Sequence, residues 1–253
     1  MKVAILAGGQ GTRLAEETRV KAKAMVLIGA QPILWHLLKY YAHFGFDEFV
    51  IALGHHADTI RAYFVERLGA RAVSDGPRLL VRPELEPAWT VELIDTGADT
   101  DTGGRIKRLA PYLGDAPFML TWCDGLADVD LGKLGAFHRA HGRLATLTAV
   151  HPPPRFGRLT LEGDAVSAFR EKVVDDDEWI NGAFFVLEPG VFGYIEGDRD
   201  SFERDTLPRL VADGRALCAY RHRGFWQCMD TLKEAEDLNR LWRAGQAPWQ
   251  VWT

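Results

Sequence analysis

The sequence predicts an α/β protein with a mainly parallel, mixed central sheet flanked by helices. Three observations carry that reading. Short β-rich apolar runs alternate with segments whose apolar residues are spaced for one helix face. The runs at 3–6, 49–53 and 118–122 are almost unbroken in apolar character, as expected of strands covered on both faces. No Ser/Gly/Pro linker, low-complexity tract or repeat of about 20–50 residues interrupts the alternation. The 253 residues therefore read as one domain.

Taken in order, residues 2–7 form a first strand that ends in a glycine loop. Pro32 opens a helix in which Ile33, Leu34, Leu37, Leu38, Tyr41 and Phe44 share a face, and Gly45 stops it. Residues 49–53 are a second strand closed by Gly54, and a helix over about 58–68 ends at Gly69. Phe118-Met119-Leu120-Thr121-Trp122 is a buried strand running into Cys123-Asp124-Gly125, followed by a helix carrying Leu131, Leu134 and Phe137. Residues 144–150 are again β-rich. Shorter, more alternating strands then continue to about residue 220, with turns at Pro152-Pro153-Pro154, Glu162-Gly163-Asp164 and Asp175-Asp176-Asp177. A last helix carries Leu232, Leu238, Leu241 and Trp242. Ligands of such sheets gather at the carboxyl ends of the strands.

Composition narrows the function classes. With 47% hydrophobic and 26% charged residues, disorder, collagen and coiled coil are excluded for the chain as a whole. Apolar runs break well short of ~18 residues, so no membrane partner is expected. The apolar start before Gly8 is too short for a signal-peptide core, which predicts a cytoplasmic protein. Cys123, Cys218 and Cys228 make no disulfide framework. A net charge of −5 provides no global field for nucleic acid, so any polyanion must be met by locally gathered cations.

The loop after the first strand reads Leu6-Ala7-Gly8-Gly9-Gln10-Gly11-Thr12-Arg13-Leu14. Its glycines let backbone N–H groups turn toward one point, and Arg13 adds a permanently charged planar fork. A P-loop is excluded because Gly-Lys-Ser/Thr is absent. A dinucleotide fingerprint is excluded because Leu14 stands at the third glycine and no acid follows the second strand. Position and Arg13 together predict a triphosphate cradle rather than a plain connector.

The order of segments resembles the sugar-1-phosphate nucleotidyltransferases. The resemblance rests on that loop, Lys21-Ala22-Lys23-Ala24-Met25-Val26, Thr102-Gly103-Gly104-Arg105 and Asp124-Gly125-Leu126-Ala127-Asp128. It continues through Phe156-Gly157, Glu171-Lys172, Ile180-Asn181-Gly182, Phe225-Trp226-Gln227 and Met229-Asp230-Thr231, collinear over nearly the whole chain. It implies a Rossmann-like nucleotidyltransferase fold, with a smaller sugar-binding sub-region at about 150–220 and a C-terminal helical segment at about 230–253. The implied substrates are a nucleoside triphosphate, CTP above others, and a sugar 1-phosphate, α-D-glucose 1-phosphate above others. A homo-oligomer is implied as well.

The resemblance also assigns roles. Leu6, Ala7, Gly8, Gly9, Gly11, Thr12, Arg13 and Lys23 would hold the nucleotide, and Gly103, Gly104 and Arg105 would close over it. Arg13, Lys23 and Asp124 are the implied catalytic residues, and Asp124 and Asp230 the implied ligands of Mg²⁺. Lys172 would meet the sugar phosphate, Glu171 and Asn181 the sugar hydroxyls, and Gly182 would permit close approach. On residue type alone, Asp124 also suits a turn before Gly125, and Asp230 an N-cap of the last helix. His55-His56 reads as a helix-entry turn without a third ligand at metal spacing. Trp122 and Trp226 flank the implied site.

Departures from the family pattern are local. Ala22 and Ala24 replace prolines, Leu27 an acid, Cys123 a glycine, and Val173 and Cys228 prolines. The charged residues that the chemistry requires remain, apart from the acid at 27. Two rivals follow: the same chemistry with another base or a non-sugar phosphate or phosphonate, and a nucleotide-sugar-binding paralogue with little turnover.

Overall fold

Four consecutive buried apolar residues make β1 (Val3–Leu6) an interior strand. It lies at the centre of the sheet in the computed structural model, which describes residues 1–86, 88–153, 158–171, 178–214 and 216–252, with the backbone alone at 13, 15, 16, 158 and 161. The other strands of that sheet are β2 (Glu48–Leu53), β3 (Arg71–Asp75), β4 (Arg78–Arg82), β5 (Thr90–Asp95), β6 (Phe118–Trp122), β7 (Ala145–Val150), β8 (Ile180–Leu187) and β9 (Leu217–Arg221). Their spatial order is β9-β7-β8-β6-β1-β2-β5-β4-β3.

The centre is parallel: Ile5 is in register with Ile51 of β2 on one side and Thr121 of β6 on the other, and β5 extends the parallel set beyond β2. The flanks are mixed. β8 runs antiparallel to both β6 and β7, β9 is parallel to β7, and β3–β4–β5 are antiparallel neighbours. The β3–β4 hairpin turns through Gly76-Pro77 with Gly76 at φ 56°, a connection only antiparallel strands allow. The sequence reading had no strands between residues 70 and 95.

Helices cover both faces: α1 (Ala15–Thr18), α2 (Ile33–His43), α3 (Ala57–Ala62), α4 (Thr102–Leu113), α5 (Leu131–His141), α6 (Leu207–Ala212) and α7 (Leu232–Arg243). Successive strand residues point to opposite faces, so the chain builds two cores. Val3 and Ile5 join Phe49 and Ile51 under α2, α5 and α7, whereas Ala4 and Leu6 join Val50 and Ala52 under α4 and α6. Among the described residues no helix is long and apolar enough to cross a membrane.

Beside the Leu27–Ile28 and Gln31–Pro32 hairpin, two small antiparallel pairs complete the frame. One, Arg158–Glu162 with Ala165–Arg170, turns at Gly163 (φ 62°) as the Glu162-Gly163-Asp164 motif predicts. The other pairs Gly125–Ala127 with Trp226–Cys228 and lies at the carboxyl end of β6. The Pro154, Phe156-Gly157, Lys172, Val173 and Asp175-Asp176-Asp177 readings lie outside the described residues.

Candidate active site

The carboxyl edge of the parallel centre opens into a cleft of about 520 Å³, floored by residues 6–12. Each loop glycine has its own reason. A Cβ on Gly8 would fall 2.4 Å from Arg105 Nη1, Gly11 sits at φ +65°, and Gly9 has nothing within 4 Å, which leaves the cleft side open. The loop is tied down where it leaves the sheet: Ala7 N–H donates to Ala52 O (3.0 Å), and Leu14 N–H and the Thr18 hydroxyl donate to Gly11 O (both 2.9 Å). Arg13 lies in the short helical turn Thr12–Leu14 that ends the loop; its side chain is outside the described part.

Asp124 follows β6 and Asp230 precedes α7, yet their carboxylates meet. Lys23 Nζ lies 2.6 Å from Asp124 Oδ2 and 2.6 Å from Asp230 Oδ1. Two short strands distant in sequence bring them together by pairing Gly125 with Cys228, and Met229 N–H donates to Asp124 O (2.8 Å). Asp230 is not the N-cap of α7. That position is Thr231, whose side chain forms a capping box with Glu234. Glu234 Oε2 also accepts from Asp230 N–H (2.7 Å), which fixes the backbone that carries the carboxylate.

Lys23 is held on the other wall by a tight turn. Ala22 has φ −60° and ψ 145°, the conformation a proline would impose, and its N–H donates to Thr59 Oγ1 (3.1 Å), a bond proline lacks. Burial depresses the Lys23 pKa, but the attraction of Asp124 and the hydrogen bonds to both aspartates outweigh it and hold the ammonium above its ordinary value. Cys123 points into the core, and burial next to the Asp124 charge pushes its thiol up to about 12. It is a protonated, inert packing group at neutral pH.

This donor set fits a small hard cation. Two carboxylates converge on one point, and among the described residues no group of three or more His, Cys, Asp or Glu side chains is placed to hold a metal. Few protein oxygens, completed by water and phosphate, suit Mg²⁺. The same count excludes a closed Cys/His zinc site among these residues.

Other expected residues fall elsewhere. Residues 103–105 are not a loop closing over a ligand: they form the first turn of α4. Arg105 lines the cleft floor, but its Nη1 is held by Leu53 O, Thr96 Oγ1 and Gly97 O and its Nη2 by Ala98 O, at 2.7–3.0 Å. The reason is burial: a guanidinium with only 4% exposure must find protein acceptors, here the carbonyls beneath the glycine loop. Gly182 accommodates β7, since a Cβ there would lie 2.8 Å from Val150 Cγ1. Asn181 Oδ1 accepts from Ala183 N–H (2.9 Å) in a bulged stretch of β8, and Trp226 Nε1 donates to Gly182 O (2.8 Å). Glu171 is exposed at the end of the longer hairpin, and Lys172 is outside the described residues. Among the described residues, Glu171, Asn181 and Gly182 do not line the cleft.

The cleft also contains residues that sequence reasoning missed. His56 makes the helix-entry turn, at φ 55°, but His55 borders the cleft with a buried Nε2 that has no partner among the described residues. Arg199 and Glu203 come from a segment nearly a hundred residues beyond the α4 motif, and no local pattern marks them. Glu203 accepts from Trp122 Nε1 (3.0 Å) and from the Thr102 hydroxyl (2.6 Å), fixing the tryptophan wall.

Comparison with known proteins agrees with this geometry. The model of the nucleotidyl transferase family matches residues 2–240. The chain is 44% identical over 258 aligned residues to glucose-1-phosphate cytidylyltransferase of Salmonella typhi, covering 100% of both chains. It is equally similar to the protein of that name from Salmonella typhimurium. The crystal structure of HddC from Yersinia pseudotuberculosis shares the fold, with a TM-score of 0.72 at 22% identity over 95% of this chain and 99% of that one. A match along almost the entire chain, together with a glycine-floored cleft at the carboxyl edge of the sheet, places this chain in the nucleotidyl transferase family, among the sugar-1-phosphate nucleotidyltransferases and similar throughout to the glucose-1-phosphate cytidylyltransferases.

Proposed function

We propose that this chain transfers the cytidylyl group of CTP to α-D-glucose 1-phosphate, forming CDP-glucose and pyrophosphate, with Mg²⁺ held by Asp124 and Asp230. The observation that supports the chemistry best is the meeting of those two carboxylates and Lys23 beside the glycine loop. The full-length likeness to the Salmonella cytidylyltransferases supports the choice of base and sugar.

The reaction needs little from acid–base groups. The nucleophile is a phosphate oxygen that is largely dianionic at pH 7, because its second pKa is about 6. It forms a new bond to the α-phosphorus as the bond to the β-phosphate oxygen breaks, and pyrophosphate leaves with that electron pair. No proton has to move. The obstacle is repulsion between two polyanions and their alignment in line. Mg²⁺, when bound, supplies charge neutralisation and orients the phosphates. Lys23 stays an ammonium at neutral pH and provides a fixed cation at the same point. The loop's backbone N–H groups line the approach to the phosphates, and the open space at Gly9 admits their bulk. The resemblance gives Arg13 as a second cation and assigns the sugar phosphate and its hydroxyls to Lys172, Glu171 and Asn181; Glu171 and Asn181 stand outside the cleft lining, so this assignment requires the sugar to extend beyond it.

Pyrophosphate release, measured with CTP, UTP, dTTP, ATP and GTP against several sugar 1-phosphates in the presence of Mg²⁺, tests the reading. CTP with α-D-glucose 1-phosphate is expected to give the highest kcat/KM. A different preferred pair overturns the substrate choice, and no turnover with any pair by folded protein overturns the activity.

A further inference from the structure

The Gly103-Gly104 pair does not touch the cleft, so its role lies elsewhere. Residues 197–203 cross the start of α4 at very close range. A Cβ on Gly103 would stand 2.7 Å from Asp200 O, and one on Gly104 would stand 2.6 Å from Asp198 Cα. The free N–H groups of the helix start are used by this strap: Gly103 N–H donates to Asp200 O (2.8 Å) and Asp101 N–H to Asp198 O (2.8 Å). Arg108 grips Asp198 with two bonds of 2.8 and 2.7 Å, and Phe202 N–H donates to Thr102 Oγ1 (2.8 Å). The start of α4 is therefore a seat for protein rather than for an anion.

Between these anchors the strap presents Arg199. Of the cations described in the cleft lining, Lys23 is shared by two carboxylates and Arg105 is saturated by protein oxygens. Arg199 is exposed, and its Nη1 makes a 3.5 Å approach to Asp99 O, at the limit of a hydrogen bond. The neighbouring Asp198 carboxylate, which feels the Arg199 charge, is already gripped by Arg108. Its place in the cleft is informative. Lys23 and Asp124 mark the end over β6, whereas Asp99 follows β5, which lies beyond β1 and β2 in the sheet order. Strands are about 4.8 Å apart, so the two ends are separated by roughly 14 Å. A nucleotide with its phosphates at the first end reaches toward the second with its nucleoside.

We propose that Arg199 binds the nucleoside end of the substrate nucleotide, its planar guanidinium against the base, and that Gly103 and Gly104 are positioning residues that let the strap seat closely enough to deliver it. The proposal rests on the nucleotidyl-transfer reading above. A guanidinium suits the task because it is always charged, weakly hydrated, and able to stack on an aromatic ring as well as to hydrogen-bond.

Calorimetric titration of the full chain with CMP, which carries the nucleoside, and with inorganic pyrophosphate, which carries only the polyphosphate, separates the two ends. R199A is expected to weaken CMP about tenfold, the size of one charge-assisted contact, and to leave pyrophosphate unchanged. R199K restores part of the loss. G104A keeps Arg199 but forces the Asp198 backbone outward, and is expected to show the same CMP-selective loss. The proposal is overturned if folded R199A loses pyrophosphate affinity as strongly as CMP affinity, or if neither changes. A wild-type chain that binds neither CMP nor CTP overturns the functional reading itself, and this proposal with it; wild-type binding that R199A leaves intact overturns this proposal alone.

Discussion

At the scale of single residues, the proposed chemistry rests on a mutually compensating charge arrangement. Lys23 has 10% side-chain exposure and lies between two carboxylates of 23% and 12% exposure, so each charge is compensated within 2.6 Å. Replacing Asp124 by asparagine keeps the shape and leaves Lys23 its bond to Asp230. D124N is therefore expected to fold, with unchanged far-UV circular dichroism, while Mg²⁺-dependent turnover falls at least about a hundredfold. Turnover of D124N at the wild-type rate would move the ion away from this pair. The individual acids and Lys23 were legible in the sequence through the resemblance that carries them. Arg105 was expected in a loop, whereas the structure places it in the first turn of α4, lining the cleft with its guanidinium turned by burial toward four protein oxygens. Arg199 was not legible at all, since nothing within its neighbourhood in the chain differs from a solvated loop.

Elements explain how those residues are aimed. The capping box of α7 joins stability to the site, because Glu234 accepts from both Thr231 N–H (2.9 Å) and Asp230 N–H (2.7 Å). T231A removes one half of the box and is expected to cost about 1 kcal/mol of stability by urea unfolding. E234A removes the support of Asp230 as well, so its requirement for Mg²⁺ should rise severalfold at saturating CTP. An unchanged Mg²⁺ requirement would separate the cap from the metal site. At the opposite wall, Asn239 of α7 accepts from Gly29 N–H (2.8 Å) and donates to Leu27 O (3.0 Å), so the same helix braces the turn that follows Lys23. Leu27, read from the sequence as a departure from the family pattern, is 49% exposed on that turn and takes no part in the cleft lining. The proline lost at position 22 is compensated in a related way: Ala22 already has proline-like dihedrals, held by Thr59. Helix α4 escaped the sequence reading because two glycines at its start and Pro111 near its end imitate a loop, although Ile106, Leu109 and Leu113 are buried at helical spacing.

Across the whole molecule, the C-terminal segment closes the core over α2 and makes stability depend on pH. His36 is fully buried; its Nε2 hydrogen bonds to Ile28 O (2.9 Å), and Trp249 Nε1 approaches Nδ1 (3.4 Å). A carbonyl only accepts and an indole only donates, so the ring is neutral with its proton on Nε2. Burial lowers its pKa to about 4 from an ordinary 6.5. Below pH 6.5 the unfolded chain takes up a proton that the folded chain refuses. This contribution is therefore complete above pH 6.5 and is lost as pH falls toward 4, to a total of about 3 kcal/mol. Burial lowers His138 and His141 in the same direction. Urea midpoints measured from pH 7 to pH 4.5 should fall, and should fall less steeply in H36Q. An identical slope in H36Q would assign the effect to other groups.

The sequence alone marked β1, β2 and β6 as strands and α2, α3, α5 and α7 as helices, placed the glycine loop after β1, and offered the scattered acids and lysines of the candidate site. Those features are local: apolar periodicity, turn residues and short motifs act over a few positions. The tertiary structure alone decided that Asp124 and Asp230 meet at Lys23, that Arg105 faces inward, and that a strap seated on two glycines brings Arg199 to the cleft. Each of these depends on which distant segments pack together, and packing is settled by shape and burial over the whole fold, which no stretch of neighbouring residues records.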